Sequence, residues 1–219
     1  MTVPILYSLR QCPYAMRSRL AILHAGQAVI LRDIDMNNKP DDMLAISPKG
    51  TVPVLDLGDG TVIDESLDVM IWALTQSDPN NLLYSHDSEQ LPAMRELIQR
   101  HDLEFVGALQ RYRAASRYHD NNKTECRDKC CEWLVPIEQK LSEHAYIMGE
   151  QPSLVDYAML PFIRQFSRVD KRWYAQAPFP RLRAWLINHY NDPTFSKVMV
   201  SHPKWKKNDE PILFGGHPN

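Results

Sequence analysis

One cysteine stands where a sequence can make a thiol reactive. Cys12 follows the apolar run Pro4-Ile5-Leu6-Tyr7-Ser8 and directly precedes Pro13 and a helical pattern. A strand-to-helix turn offers unpaired N–H groups and about half a positive charge at the helix N-terminus. Both favour thiolate over thiol, and the thiolate is the nucleophile. Arg10, Arg17 and Arg19 lie close in sequence and add positive potential. The alternative role is that of a small buried hydrophobe. That role suits Cys126, Cys130 and Cys131, inside a later helical pattern, better than Cys12.

Two further features fall in the same third of the chain. In Thr51-Val52-Pro53-Val54 a proline opens a strand. Such a proline either starts an edge strand or forms a cis peptide at a bend. A bend would leave the Val52 backbone open to pair with an extended peptide. Glu65-Ser66 opens a helix. Ser66 and the helix N–H groups suit a carboxylate, and Glu65 suits an ammonium, so the pair fits an α-amino-acid head group. The alternative is ordinary capping by Asp64 or Ser66.

The elements that must carry these residues alternate in type. Pro4–Ser8 reads as a buried strand and Pro13–Ala25 as a helix, with Pro13 at its first position and Gly26 ending it. Val29–Ile34 reads as a second strand, and Asp41–Ile46 as a short helix stopped at Ser47-Pro48. Val52–Leu57 and Thr61–Ile63 read as strands around the turn Gly58-Asp59-Gly60, followed by a helix over Ser66–Thr75. The order is βαβαββα. The first two strands are expected parallel through their crossover, and the last two antiparallel, in a mixed four-stranded sheet.

Residues 77–92 are turn-rich and polar and read as a linker. Residues 93–219 read as an all-helical domain. Met94, Leu97, Ile98, Phe105, Ala108, Leu109 and Tyr112 share one helical face. A second long helix is expected from about Thr124 to Leu141, with a kink at Pro136. Ser153-Leu154-Val155-Asp156 is a capping-box variant opening a buried helix through Phe166, and Pro180–Tyr190 and Thr194–Val200 offer two more.

Bulk composition excludes several classes. A formal net charge of -2 gives no general attraction to nucleic acid or to an anionic membrane. No apolar run reaches bilayer length, and Met1–Tyr7 lacks the pattern of a signal peptide. A cytoplasmic location is expected, with the four cysteines as thiols. Neither cysteine nor histidine spacing forms a metal pattern, so no metal is expected.

Taken together, Cys-Pro-Tyr after the first strand, Val-Pro before the third and Glu-Ser before the third helix resemble the cytosolic glutathione transferase superfamily. Tyr7-Ser8-Leu9-Arg10-Gln11-Cys12-Pro13-Tyr14-Ala15, Asn38-Lys39-Pro40 and Lys49-Gly50-Thr51-Val52-Pro53-Val54-Leu55 resemble its omega class, which uses cysteine. Ser153–Tyr157 and Asp192-Pro193-Thr194 resemble the helical domain. The resemblance implies a thioredoxin-like domain followed by an all-helical one, with glutathione as co-substrate and a homodimer. It implies that Cys12 is catalytic and that Val52, flanked by Thr51 and Pro53, pairs its backbone with glutathione. Glu65 and Ser66 would hold the γ-glutamyl end and Lys39 the glycyl end. Tyr14 would wall the site, and Tyr112 and Trp205 would line a second-substrate pocket.

The implied activity is a thiol transferase or reductase working through a Cys12–glutathione mixed disulfide. Ala15 stands where a dithiol oxidoreductase has its second cysteine, so the one-cysteine version is expected. Conjugation of glutathione to electrophiles, with Tyr7 or Ser8 activating its thiol, is a second reading. A non-catalytic binding partner of the same fold is a third.

Overall fold

Alternating burial sets the sheet. β1 (Ile5–Ser8) and β2 (Ala28–Asp33) run parallel, with Ser8 opposite Asp33. Between them α1 (Pro13–His24) makes the crossover, with Pro13 in its first turn. Its end is marked by Gly26 at φ +61°, a left-handed backbone that glycine adopts without a Cβ penalty. After α2 (Asp41–Ile46) come β3 (Val54–Asp56) and β4 (Val62–Ile63), then α3 (Ser66–Gln76). β3 is antiparallel to β1, with Tyr7 opposite Val54, and β4 is antiparallel to β3. The βαβαββα order matches the sequence reading element for element.

The computed structural model describes residues 2–216. It divides into two units: Met1–Asn80 with Asp192–Asn219, and Asn81–Asn191. Two expectations change. The sheet has five strands, in the order β4-β3-β1-β2-β5, where β5 is Ile212–Gly215. Residues 192–219 therefore group with the first unit, and not with an all-helical domain over 93–219. The physical reason is the open edge of β2. Ile212, Leu213 and Phe214 pair antiparallel with Leu31, Ile30 and Val29 and satisfy the backbone of that edge. Gly215 (φ +77°) makes the pairing possible, because a Cβ there would lie 2.0 Å from the Gln27 carbonyl oxygen.

The second unit is helical. α4 (Gln90–Arg100) passes through a π-helical turn, His101–Phe105, into α5 (Val106–Tyr118). The one expected helix is thus interrupted by a wider turn, at which His101, Phe105 and Val106 are all buried. α6 (Lys123–Glu143) runs through Pro136, and α7 (Leu154–Ser167) is buried along almost its whole length. α8 (Lys171–Gln176) is an addition to the expected helices, and α9 (Pro180–Asn191) follows. α10 (Pro193–Val198) belongs to the first unit.

The capping box forms at the start of α7. Asp156, fully buried, accepts from Ser153 N–H at 2.9 Å, Ser153 Oγ at 2.7 Å, Ile147 N–H at 3.0 Å and Trp185 Nε1 at 2.9 Å. One carboxylate thereby ties the helix start to the preceding loop and to α9. Among the described residues no helix is long and apolar enough to cross a membrane.

Candidate active site

Cys12 occupies the N-cap position of α1, in extended backbone. Its neighbours come from β1, α1, α2 and β3 of the first unit and from the loop positions Ile34 and Val52. Its side chain packs against a buried cluster of Tyr7, Ala15, Ile34, Met43, Val52 and Val54. Its Sγ lies 3.9 Å from the Val52 carbonyl oxygen. The Val52-Pro53 peptide is cis, which settles the choice left open by the sequence. The fold therefore brings the Cys12 thiol to the backbone of Val52 across forty residues of chain.

The electrostatics at Cys12 differ from the sequence expectation. Burial pushes the thiol above its ordinary value. The N–H groups of Ala15 and Tyr14 and the charge of Arg19 pull it down, as a helix N-terminus should, but burial outweighs them. Of the three nearby arginines, Arg19 is the one whose charge reaches the sulfur. Arg10 instead donates to the Met199 carbonyl at 3.5 Å. Arg17, fully buried, donates to Ser66 Oγ at 3.5 Å and lies over the Tyr14 ring at 5.6 Å.

Glu65 is the N-cap residue of α3, and Ser66 begins the helix. Ser66 is buried and held by Arg17, whereas Glu65 is exposed. Lys49 donates to Glu65 Oε1 at 2.7 Å and pairs with Asp64 at 3.3 Å. Burial acts against the Lys49 ammonium, but the hydrogen bonds to the two carboxylates prevail and raise it. Asp64 also accepts from Ser47 Oγ at 2.7 Å. Glu65 is thus already paired with an ammonium, the group type its position was read as suiting. Lys49 escaped the sequence reading as a site residue; its signal was a basic residue directly before Gly50-Thr51-Val52. Lys39 sits over Gly50, where an added Cβ would lie 3.1 Å from Lys39 Nζ.

Tyr7 and Ser8, the hydroxyl candidates for a conjugating mechanism, are both buried. The Tyr7 hydroxyl accepts from Arg32 at 2.5 Å, and burial raises its pKa. Ser8 Oγ accepts from Arg19 Nε at 2.8 Å. Trp205 meets Tyr7 edge-on at 6.3 Å, and Arg32 stacks over its ring at 4.1 Å. Tyr112, expected to line a pocket, is instead a core residue of the second unit. It is buried against Phe166, and burial pushes its hydroxyl up to about 12. The apolar face that carries Tyr112 is the face α5 turns inward. The four cysteines are free thiols; burial pushes Cys130 up to about 12 and Cys131 up to about 11. Among the described residues no three His, Cys, Asp or Glu side chains cluster as metal ligands would.

A thioredoxin-like sheet with a cysteine at its first helix, joined to a helical unit, defines the class of protein. Family comparison gives the same class. Residues 6–81 match the model of the glutathione S-transferase N-terminal domain, and residues 125–187 that of the C-terminal domain. A probable glutathione transferase from Aplysia californica is 45% identical over 79 residues, covering 36% of this chain and 84% of that protein. Glutathione S-transferase omega-1 from Mus musculus is 22% identical over 202 residues, 92% of this chain and 82% of that one. In structure, glutathione transferase Omega 3C from Trametes versicolor aligns with a TM-score of 0.79 at 20% identity, covering 93% of this chain and 91% of that one. The chain belongs to the cytosolic glutathione transferase superfamily and is omega-like.

Proposed function

We propose that this protein is a glutathione-dependent thiol transferase whose nucleophile is Cys12. The observation that carries the reading is the position of its sulfur, at the N-cap of α1 and 3.9 Å from the Val52 carbonyl. Glutathione would pair its cysteinyl backbone with Val52, between Thr51 and Pro53. Its γ-glutamyl end would lie at Glu65 and Ser66, its glycyl end near Lys39, and Tyr14 would wall the site.

In the first step the Cys12 thiolate attacks the glutathione sulfur of a mixed disulfide. A Cys12–glutathione disulfide forms, and the substrate leaves as its thiolate. A second glutathione thiolate then attacks that sulfur, oxidised glutathione leaves, and the Cys12 thiolate returns. The Ala15 and Tyr14 N–H groups and Arg19 stabilise the negative sulfur at the start and end of the cycle. Because burial raises the thiol, the rate should climb with pH through a midpoint above the ordinary thiol value. The buried Tyr7 and Ser8 hydroxyls favour this chemistry over conjugation. A homodimer and a cytoplasmic setting belong to the same proposal.

The test is peptide mass mapping after incubation with oxidised glutathione, on wild type and Cys12→Ser. A glutathione adduct on Cys12, lost in the variant together with disulfide-reducing activity, is expected. An unmodified Cys12, or full reductase activity in Cys12→Ser, overturns the reading.

A further inference from the structure

The C-terminal segment does more than add a strand. Asp33, at the end of β2, is buried and faces three partners. Its Oδ2 accepts from Arg19 at 2.7 Å, its Oδ1 accepts from Lys204 Nζ, and its carbonyl accepts from Trp205 N–H at 2.7 Å. Arg19, fully buried, also reaches Ser8 Oγ and, at 3.5 Å, the Val198 carbonyl. Nearby, Lys207 pairs with Asp42 at 3.5 Å and Trp205 lies on Arg32. The segment is therefore fixed across the end of β2, next to the turn that carries Cys12.

The charges in this network do not cancel. Arg19 and Asp33 alone make a neutral buried pair, whose field at a nearby sulfur is that of a dipole. Lys204 adds one full positive charge on the far side of Asp33. Further charged or titratable groups in these segments are Tyr7 on β1, Arg10 on the turn itself, Tyr14 and Arg17 on α1, and His202 on the C-terminal segment. Arg17 is directed to Ser66, and Arg10 to Met199. Burial, then the repulsion of Arg19, lowers His202. Lys204 is thus the solvent-reaching part of the balance: half-exposed and bonded to a carboxylate that is 2% exposed.

We propose that Lys204 is a positioning residue for Cys12: bonded to Asp33, it leaves the buried Arg19–Asp33 pair, which reaches Ser8 at the strand end before the Cys12 turn, with a net positive charge. It acts through Asp33 and Arg19 and touches neither the sulfur nor substrate. The proposal rests on Cys12 as the nucleophile, and it assigns part of the control of that nucleophile to a segment 192 residues away in sequence.

The test reads the thiolate directly and needs no glutathione. The rate of Cys12 alkylation by iodoacetamide is followed against pH, by peptide mapping, on wild type, Lys204→Met and Lys204→Arg. Removal of one partly solvated charge from the network should raise the Cys12 midpoint by about half a pKa unit, a roughly three-fold slower reaction at neutral pH. Lys204→Arg should overlay wild type. The difference should shrink at high salt, because Lys204 is half in solvent. A Lys204→Met profile that overlays wild type overturns the proposal. So does a Lys204→Arg profile displaced as far as that of Lys204→Met, because then the side chain's shape is the agent and its charge is not. Failure of the glutathione reading would show separately, as a missing adduct with the alkylation shift intact.

Discussion

Asp33→Ala removes the anion that compensates a fully buried guanidinium. In wild type, Arg19 and Asp33 are 0% and 1% exposed and meet at 2.7 Å. After the substitution Arg19 keeps only neutral acceptors in this network, Ser8 Oγ at 2.8 Å and the Val198 carbonyl at 3.5 Å. Leaving one partner of such a pair uncompensated costs about 3–5 kcal/mol. For a chain of this length that corresponds to a fall in Tm of roughly 6–20 °C. Arg19→Met should cost less, because Asp33 retains Lys204, which reaches solvent. The double variant removes both buried charges, so its loss should fall short of the sum of the singles by about 1–3 kcal/mol. Denaturant unfolding of all four proteins measures the cycle, with unchanged slopes as the check on shared end states. Single losses that add to within about 0.5 kcal/mol would refute the reasoning. The pair would then be held by the surrounding fold and would contribute no coupling of its own.

Three further outcomes are expected. Gly215→Ala places a Cβ 2.0 Å from the Gln27 carbonyl at φ +77°; it should cost at least about 1–2 kcal/mol and speed amide exchange in Ile212–Gly215, and unchanged exchange there would contradict the role given to the glycine. Asp156→Ala leaves four donors without their acceptor; a loss of about 3–5 kcal/mol in denaturant unfolding is expected, and a loss below about 1 kcal/mol would mean that water replaces the carboxylate. Hydrogen bonding from Ser47, then from Lys49, holds Asp64 below the usual carboxylate range. A depressed carboxyl contributes stability above its unfolded pKa and loses it as pH falls through the folded value. The stability gap between wild type and Ser47→Ala should therefore be open at about pH 7 and close towards about pH 2, and a pH-independent gap would exclude this linkage.

Much of the first unit was legible because its signals are local. Pro13 and Gly26 bound α1, Gly58-Asp59-Gly60 turns β3 into β4, and the alternation of Ala28–Asp33 marks a strand. Each of these acts within a few residues, through backbone dihedrals or side-chain period, and sequence carries that information directly. The box at Ser153 and Asp156 is of the same kind. The π-helical turn was not legible, since one residue of extra winding is decided by which side chains the neighbouring helices accept.

Cys12 divides along the same line. Its type, its place before Pro13 and its order ahead of Val52-Pro53 and Glu65-Ser66 are properties of the sequence by itself, and they point to a thiol at a helix start. The charge state of that thiol is a tertiary property. A helix N-terminus favours thiolate wherever it lies, but burial against Tyr7, Val52 and Val54 opposes it, and burial depends on parts of the chain that meet only on folding. The same holds for β5 and Lys204. Ile212-Leu213-Phe214 and one lysine have no evident meaning until the open edge of β2 and the buried Asp33 give them partners. Sequence singled out this thiol because that signal is local; only the fold decided its surroundings, because electrostatic and solvation energies depend on distances that sequence spacing does not set.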